Sequence, residues 1–228
     1  MKKEKTLNQT SNIKTNRSGM PRRDFFKLVG GGIIVFFMPR CSSDGTESSA
    51  PAERDLTKDY NAFLRIGDDG TVSCFTGKIE MGQGVITSLV QQMADELNVP
   101  MEKIKMVMGD TDLCPWDGGT WGSMTTRHFS HFMRAAAAEA KGVLIDMASK
   151  KLKVPASQLE VNDGVITDTT DPKKSVTYAE LTKGKKIEKY LDVKPAVEDY
   201  SKFTYVGKPY HRLDANRKLP VRRSILVT

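Results

Sequence analysis

The sequence predicts an α+β fold in which two helices pack on one face of a mixed sheet, as part of a larger domain. Three observations support this class. Two short alternating segments flank the turn signal Asp68-Asp69-Gly70, and apolar residues recur every fourth position from Val85 to Leu97. The predicted elements follow one another in the order strand pair, helix, strand, helix, strand pair.

The first 41 residues have the composition of an export leader. They contain nine Lys or Arg and two acidic residues, which leaves 26 basic and 26 acidic side chains over residues 42–228. The pair Arg22-Arg23 precedes the apolar run Leu28 to Met38, which spans only about 16 Å as a helix. This pattern predicts a twin-arginine signal over residues 1–41, a periplasmic location and no membrane span. A disordered basic tail is the alternative.

The basic excess is confined to the leader, so the neutral body argues against general binding to nucleic acid. Cys41 follows the apolar run, where a lipidated cysteine would stand, but Pro39 and Arg40 replace the small residues expected before one. Lipid anchoring at Cys41 is therefore the less favoured option. The three cysteines of the chain are too few for a disulfide scaffold and lack the spacing of a zinc site.

Residues 42–59 are predicted to form a flexible linker, and the first strand pair follows it. Ala62 to Ile66 alternates like a strand, and Thr71 to Thr76 is the predicted return strand. The first helix begins after a glycine-rich turn and ends at Pro100. The short apolar segment Ile104 to Met108 is the next predicted strand.

The second helix is predicted from Ser123 to about Leu152, because its alanine-rich centre has the highest helix propensity in the chain. Residues 97–100 read Leu-Asn-Val-Pro and residues 152–155 read Leu-Lys-Val-Pro, which indicates similar endings for the two helices. Each ending is followed by a predicted strand.

The second strand pair is predicted at residues 159–161 and 165–167, around the turn signal Asn162-Asp163-Gly164. It completes a predicted functional segment over residues 60–170. Residues 171–228 are predicted to be a linker and the truncated start of a further segment. Within them we expect one helical turn at 178–181, a basic linker at 183–189 and a strand end at 203–208.

The first candidate site is Glu80-Met81-Gly82-Gln83-Gly84, at the turn into the first helix. Glycines let the backbone approach a ligand, and a helix start offers unpaired N–H groups to an anion. The Gln83 amide donates and accepts hydrogen bonds, which suits a heterocycle or an oxo group. A purely structural turn is the alternative, since Gly-x-Gly alone is a weak signal.

The second candidate site is Gly118-Gly119-Thr120-Trp121-Gly122-Ser123-Met124-Thr125-Thr126, where the second helix is predicted to begin. Ser123 or Thr125 as a helix N-cap would explain one hydroxyl but not the glycines beside it. Two glycine-bearing helix starts in one small domain are expected to converge on a single anionic ligand.

Residues 76–87 and 120–125 together resemble the molybdopterin-binding region of the xanthine dehydrogenase and aldehyde oxidase family. The likeness is greatest to the large subunits of isoquinoline 1-oxidoreductase-type enzymes, which also begin with a twin-arginine signal. It covers about residues 60–218 and includes Val206 to Asp214, which reads VGKPYHRLD.

The resemblance implies a molybdenum hydroxylase that holds molybdenum through a molybdopterin cytosine dinucleotide and passes electrons to a small iron–sulfur subunit with [2Fe–2S] clusters. It places Gln83 near the apical oxo group of the molybdenum and gives Gly82 and Gly84 a role in backbone access. The expected contacts to the pterin or its phosphates come from Gly122, Ser123, Thr125 and Thr126. It implies no protein ligand to the metal.

The chain also departs from the family pattern. Family members are much longer and use a glutamate near the C-terminus as the catalytic base, and no catalytic residue is assigned in this chain. Glu80 and Glu96 do not replace that base on motif grounds, and Glu80 is expected to be a structural carboxylate. Three functions therefore stay open. The chain is the cofactor-binding part of a hydroxylase that is inactive alone, a non-catalytic remnant, or one piece of a split subunit completed by another chain.

Other single residues carry weaker signals. His128 and His131 are three positions apart on the second helix, but no third metal ligand is placed by sequence. The aspartates of the loop at residues 109–122 lack the pattern of a calcium loop. Trp116 and Trp121 line a cleft or stack within their loop.

Overall fold

The computed structural model describes residues 32–37, 62–114, 117–190 and 196–215. Within these ranges lie eight strands, three α-helices and several single helical turns. The strands are β1 Gly32–Phe37, β2 Ala62–Ile66, β3 Val72–Thr76, β4 Ile104–Met108, β5 Leu159–Asn162, β6 Val165–Asp168, β7 Ser175–Thr177 and β8 Lys186–Tyr190. The α-helices are α1 Val85–Leu97, α2 Ser130–Leu152 and α3 Tyr178–Thr182.

The larger sheet is mixed and has the strand order β4-β3-β2-β1-β8. β2 pairs antiparallel with both β1 and β3, whereas β4 runs parallel to β3 and β8 runs parallel to β1. Helices α1 and α2 cover one face of this sheet, and residues from both layers form the main core, including Leu64, Cys74, Leu89 and Met133. The predicted α+β class with a mixed sheet and two packed helices is confirmed.

The second predicted strand pair belongs to a separate sheet. β5 and β6 pair around the predicted turn, in which Asp163 has a φ of 50°, and β7 then adds to β6. The expectation of one sheet is therefore corrected to two, because β6 uses its free side to pair with β7 and not with the larger sheet.

The two predicted helix endings have the same geometry. Asn98 and Lys153 adopt left-handed φ values of 51° and 57° and cap α1 and α2. The next N–H in each case donates to the carbonyl five residues back, which closes the helix with a Schellman-type bond. A single 3₁₀ turn follows each proline and leads directly into a strand, β4 or β5. The repeated tetrapeptide thus encodes a repeated helix-to-strand exit.

β1 is an interior strand of the larger sheet, between β2 and β8, although the sequence pattern predicted that its residues belong to the export leader. The side chains of Ile33, Ile34 and Val35 have no exposed surface, and Phe36 is 2% exposed. Burying one such side chain is worth about 1.5–3 kcal/mol. The four together approach the net stability of an ordinary domain, which is about 5–15 kcal/mol.

The fold continues past residue 170, where the sequence predicted a linker. The expected helical turn is confirmed as α3, and a capping box between Thr177 and Glu180 starts it. The expected basic linker at 183–189 is wrong, because β8 forms there by pairing with β1. The expected strand end at 203–208 is also wrong, since its N–H groups bond to a side chain of α1 and not to another strand.

Residues 196–215 form an extended segment, here called the strap, that lies along α1. Near the C-terminal end of α1, the buried Asp95 carboxylate accepts three strap N–H groups, those of residues 204–206, at 2.7–3.2 Å. Further along the helix, Gln91 donates to the carbonyls of residues 205 and 208, and Thr87 accepts the N–H of Leu213. The strap therefore runs from the end of α1 back to its start.

A buried ion pair fixes the beginning of the strap. Arg134 of α2 donates to Glu96 of α1 at 3.0 Å, and both side chains are at most 2% exposed. The Arg134 guanidinium also donates to the Glu198 carbonyl and stacks over the rings of Tyr200 and Phe203 at 4.5 and 4.8 Å. Burial raises the pKa of Glu96, although the Glu198 N–H and Arg134 act in the opposite direction.

Candidate functional site

The two predicted helix starts lie against each other. The hydroxyl of Ser88, in the first turn of α1, is 3.0 Å from the hydroxyl of Thr126, in the turn that precedes α2. The loops before the two helices are also joined, because the Ile79 N–H donates to the Thr120 hydroxyl at 2.8 Å. The structure therefore brings together the two segments that the sequence analysis expected to converge.

A buried ion pair joins the first loop to the second. Lys78 donates to the Asp117 carboxylate and to the Gly119 carbonyl, both at 2.7 Å. The Asp117 side chain is 1% exposed, and its Oδ1 also accepts the Gly119 N–H. Its Oδ2 is buried and finds no hydrogen-bond partner among the described residues. A buried carboxylate oxygen in this state suits a ligand that donates an N–H or O–H.

Glu80 occupies the start of α1. One carboxylate oxygen accepts the N–H groups of Gly82 and Gly84 at 2.7 and 3.0 Å, and the other accepts that of Ile86 at 3.1 Å. Burial alone would raise the pKa of Glu80, but these three backbone donors hold it below its usual value. The amides that the sequence offered to an anion are thus bonded to the chain's own carboxylate, and the expectation of a structural role for Glu80 is confirmed.

Gln83 is exposed, and its amide is folded back on its own loop. The Oε1 atom accepts the Met81 N–H at 2.5 Å, and Nε2 donates to the Ile79 carbonyl at 3.0 Å. Gly84 has a φ of 80°, a left-handed conformation that favours glycine, and the space beside its Cα is open to 4 Å. The loop is therefore accessible to a ligand. To point its amide at that ligand, Gln83 must break its two hydrogen bonds to the loop backbone.

The second helix begins with a π-helical turn at Thr125–Phe129, two residues later than predicted. The residue at the N-cap position is Met124, so the alternative in which Ser123 or Thr125 only caps the helix is wrong. Ser123 is exposed and has a φ of 54°, which is unusual for a residue with a side chain. Single π-helical turns occur frequently at functional sites.

Arg212 connects the strap to the first loop. Its guanidinium binds Asp214 through two bonds of 2.9 and 2.8 Å, lies 3.4 Å from Glu80 and donates to the Gly82 carbonyl. The family resemblance covers this residue but implies no role for it. Lys78 and Asp117 were missed in the same way, because their partners lie about 40 positions away in the chain.

Three large apolar side chains border the joined loops. Met81 and Trp121 are about two-thirds exposed, at 67% and 66%, and Ile79 is 46% exposed. Clustered apolar surface of this kind typically marks a contact with further protein or a ligand.

The described residues contain no group of three or more His, Cys, Asp or Glu side chains placed to hold a metal ion. His128 and His131 are exposed, and Trp116 lies outside the described residues. In the same ranges no helix combines the length and the apolar character needed to cross a bilayer.

Comparison with known proteins identifies the relatives of this chain. The sequence model of the molybdopterin cofactor-binding domain family matches residues 7–217. A nicotinate dehydrogenase subunit of Pseudomonas putida is 33% identical over 74% of this chain and 14% of its own length. The beta subunit of the isoquinoline 1-oxidoreductase of Brevundimonas diminuta is 32% identical over 71% of this chain and 22% of its own length.

Among solved structures, quinoline 2-oxidoreductase from Pseudomonas putida 86 matches 53% of this chain and 15% of its own chain, with 26% identity and a TM-score of 0.47. This chain thus spans less than a quarter of the length of these relatives. The family match covers nearly the whole chain. The chain belongs to the molybdopterin cofactor-binding domain family, and its relatives include molybdenum-binding subunits of the xanthine dehydrogenase family.

Proposed function

We propose that this chain is the cofactor-binding part of an exported molybdenum hydroxylase that is inactive alone. The complete enzyme would be an oxidoreductase that hydroxylates an N-heterocycle or an aldehyde with water-derived oxygen. The observation that carries the proposal is the contact between the two helix starts, Ser88 with Thr126, in a chain whose family binds molybdopterin.

The residues at the joined loops fit such a cofactor. The backbone beside Gly82, Gly84 and Gly118 is open, which leaves room for a flat heterocycle. A pterin carries ring and amino N–H donors, and the buried Oδ2 of Asp117 is an acceptor in need of one. When bound, the molybdenum cofactor would supply oxygen transfer to an electron-poor carbon and take up two electrons.

The two helix starts would contact different parts of the cofactor. The N–H groups at the start of α1 are bonded to Glu80, so contacts to phosphate are expected at the second start, from Gly122, Ser123, Thr125 and Thr126. Gln83 would turn its amide from the loop backbone toward the bound group. We propose the cytosine dinucleotide form of the cofactor from the family resemblance.

Neither Glu80 nor Glu96 suits the role of a general base. Glu80 is ionised at neutral pH and bonded to three N–H groups, so it is a poor acceptor for a further proton. Glu96 lies at the other end of α1, about 16 Å along the helix from Val85, and is paired with Arg134. We therefore propose that catalysis requires additional protein segments.

The electron acceptor would be a partner. The apolar border formed by Ile79, Met81 and Trp121 supports completion of the pocket by further protein. A small iron–sulfur subunit with [2Fe–2S] clusters is the proposed electron acceptor. Arg22-Arg23 and the apolar run behind them support export to the periplasm through the twin-arginine pathway.

The test is cofactor analysis of the chain purified, with whatever co-purifies, from cells that make the molybdenum cofactor. We expect molybdenum and pterin in the complex. Thr126→Val keeps the side-chain shape but removes the hydroxyl that meets Ser88, and it should lower both contents severalfold. Thr169→Val, which removes an exposed hydroxyl just after β6, is the matched control and should change neither.

The alternatives predict different results. A non-catalytic remnant would be folded and free of molybdenum in every complex, which would overturn the proposal. A split subunit would co-purify with a second chain, and only that complex would hydroxylate an added N-heterocycle or aldehyde.

A further inference from the structure

The position of β1 in the sheet conflicts with the simplest account of the leader. The pattern around Arg22-Arg23 predicts an export signal whose apolar run includes residues 32–37. In the folded chain these residues form a strand between β2 and β8, with residues 33–37 paired to β2 and residues 32–36 paired to β8. Removal of the leader would take an interior strand from the sheet.

The strand is buried on both faces as well as on both edges. Ile33 and Val35 point into the main core beneath α1 and α2. Ile34 and Phe36 belong to a second apolar cluster that also contains Phe75. Without β1, apolar side chains would be exposed on both faces, and β2 and β8 would each present an unpaired edge.

The backbone at the start of β1 requires glycine in order to fit between β2 and β8. Gly32 has a φ of 121°, and a Cβ added there would lie 2.0 Å from the Ile66 carbonyl oxygen on β2. The Gly32 N–H donates to the Lys185 carbonyl at 2.7 Å, at the beginning of β8. Only glycine fits this position, so the glycine-rich part of the leader meets a requirement of the sheet.

We propose that Gly32–Phe37 remains in the mature chain as β1 and is not removed with a cleaved leader. The same six residues would serve in an export signal and then as a structural strand. The export half of this statement rests on the proposed function, whereas the structural half rests on the pairing and burial of β1. Lipid attachment at Cys41 would follow cleavage before that residue, and retention of β1 excludes it.

The first test is the intact mass of the folded chain recovered from the periplasm of an expressing cell. We expect a mass that includes residues 32–37. A soluble, folded chain that begins at or after residue 38 would overturn the proposal. If the chain stays in the cytoplasm, the export half fails, and the second test decides whether β1 is required.

The second test compares two shortened chains, one beginning at Met20 and one at Ser42. We expect the Met20 chain to unfold at the temperature of the full chain, and the Ser42 chain to be insoluble or to melt more than about 10 °C lower. A peptide of residues 28–40 added during refolding should restore the Ser42 chain. An unchanged melting temperature for the Ser42 chain, or failure of the peptide to rescue it, would contradict the proposal.

Two single substitutions distinguish the contribution of β1 to folding from general effects of the leader. Val35 of β1 and Lys189 of β8 are partners in the parallel register, but Val35 is fully buried and Lys189 is exposed. Val35→Asp should abolish soluble folded protein, and Lys189→Asp should leave it unchanged. Equal effects would show that the interior position of β1 is not what holds the sheet together.

Discussion

The hydroxyl oxygens of Ser88 and Thr126 lie 3.0 Å apart, although 38 positions separate the two residues in the chain. Each stands in the first turn of a helical segment that follows a glycine-bearing loop. Their contact turns two local signals into one site. The loops are joined independently by the bond from Ile79 to Thr120 and by the ion pair of Lys78 with Asp117.

Glu80 should make the first loop sensitive to acid. Its folded pKa is lowered, so its stabilising effect is present above the unfolded pKa of about 4.3 and is lost as the pH falls through the folded pKa. We expect hydrogen-exchange protection at residues 82–86 to be unchanged well above the unfolded pKa and to fall only as the pH drops below it, through the lowered folded pKa. Glu80→Gln should lower the protection at neutral pH and remove this pH dependence.

The matched control for this prediction is Glu180→Gln. Glu180 also has a lowered pKa, but it accepts the Thr177 N–H at the start of α3. Its replacement should affect exchange at α3 and leave residues 82–86 unchanged. Loss of protection at residues 82–86 in both variants would contradict a local role for Glu80.

Arg134 should contribute much more to stability than an exposed partner of the same strap. Arg134→Met leaves Glu96 buried without its cation, which typically costs about 3–5 kcal/mol. Lys202→Met removes a pair with Glu198 in which the lysine is 70% exposed, and a much smaller loss is expected because solvent screens this pair. Urea unfolding of the purified chain measures both. Similar losses in the two variants would show that the buried pair is not what anchors the strap.

Gly32 and Gly142 should respond in opposite ways to an added methyl group. Gly32→Ala places a Cβ against the Ile66 carbonyl in a left-handed conformation, and we expect a loss of about 2–4 kcal/mol. Gly142 lies in α2 with open space around it, and its replacement by alanine should add about 0.5–1 kcal/mol. Thermal melts distinguish the two, and a neutral Gly32→Ala variant would place β1 outside the sheet.

Replacing Ser123 by glycine should lower cofactor content without a large change in stability. Its left-handed φ of 54° is strained for serine, so Ser123→Gly should leave the unfolding free energy of the cofactor-free chain within about 1 kcal/mol of the wild type. The lost hydroxyl should lower cofactor content about tenfold, the effect of one strong hydrogen bond. Asp163→Gly relieves a similar φ of 50° in the β5–β6 turn and should change only stability. Equal cofactor contents in the two variants would remove Ser123 from the proposed site.

Several elements were predictable because their signals are local. Four-residue apolar spacing specified α1, and the repeated Leu-x-Val-Pro ending specified the exits of both long helices. Turn residues at Asp163-Gly164 specified the β5–β6 hairpin. Each signal is contained within a short stretch of sequence, either as the spacing of apolar residues on one helix face or as the backbone preference of turn and helix-end residues.

The arrangement at the loops was predictable only in part. Family motifs indicated which two segments converge, and their contact is present in the structure. The sequence predicted that the N–H groups at the start of α1 bind an anionic ligand, but in the structure three of them donate to Glu80. Arg212 reaches Glu80 across 132 positions because the strap follows α1, and nothing in the local sequence specifies that path.

The sequence by itself determined the family, the two long helices and the segments that meet at the candidate site. The tertiary structure alone decided that Gly32–Phe37 is an interior strand and that the edge segment Lys186–Tyr190 pairs with it. A short, wholly apolar segment suits a signal and a strand buried on both faces equally well. The difference depends on hydrogen bonds to strands that are distant in sequence, and no local pattern records them.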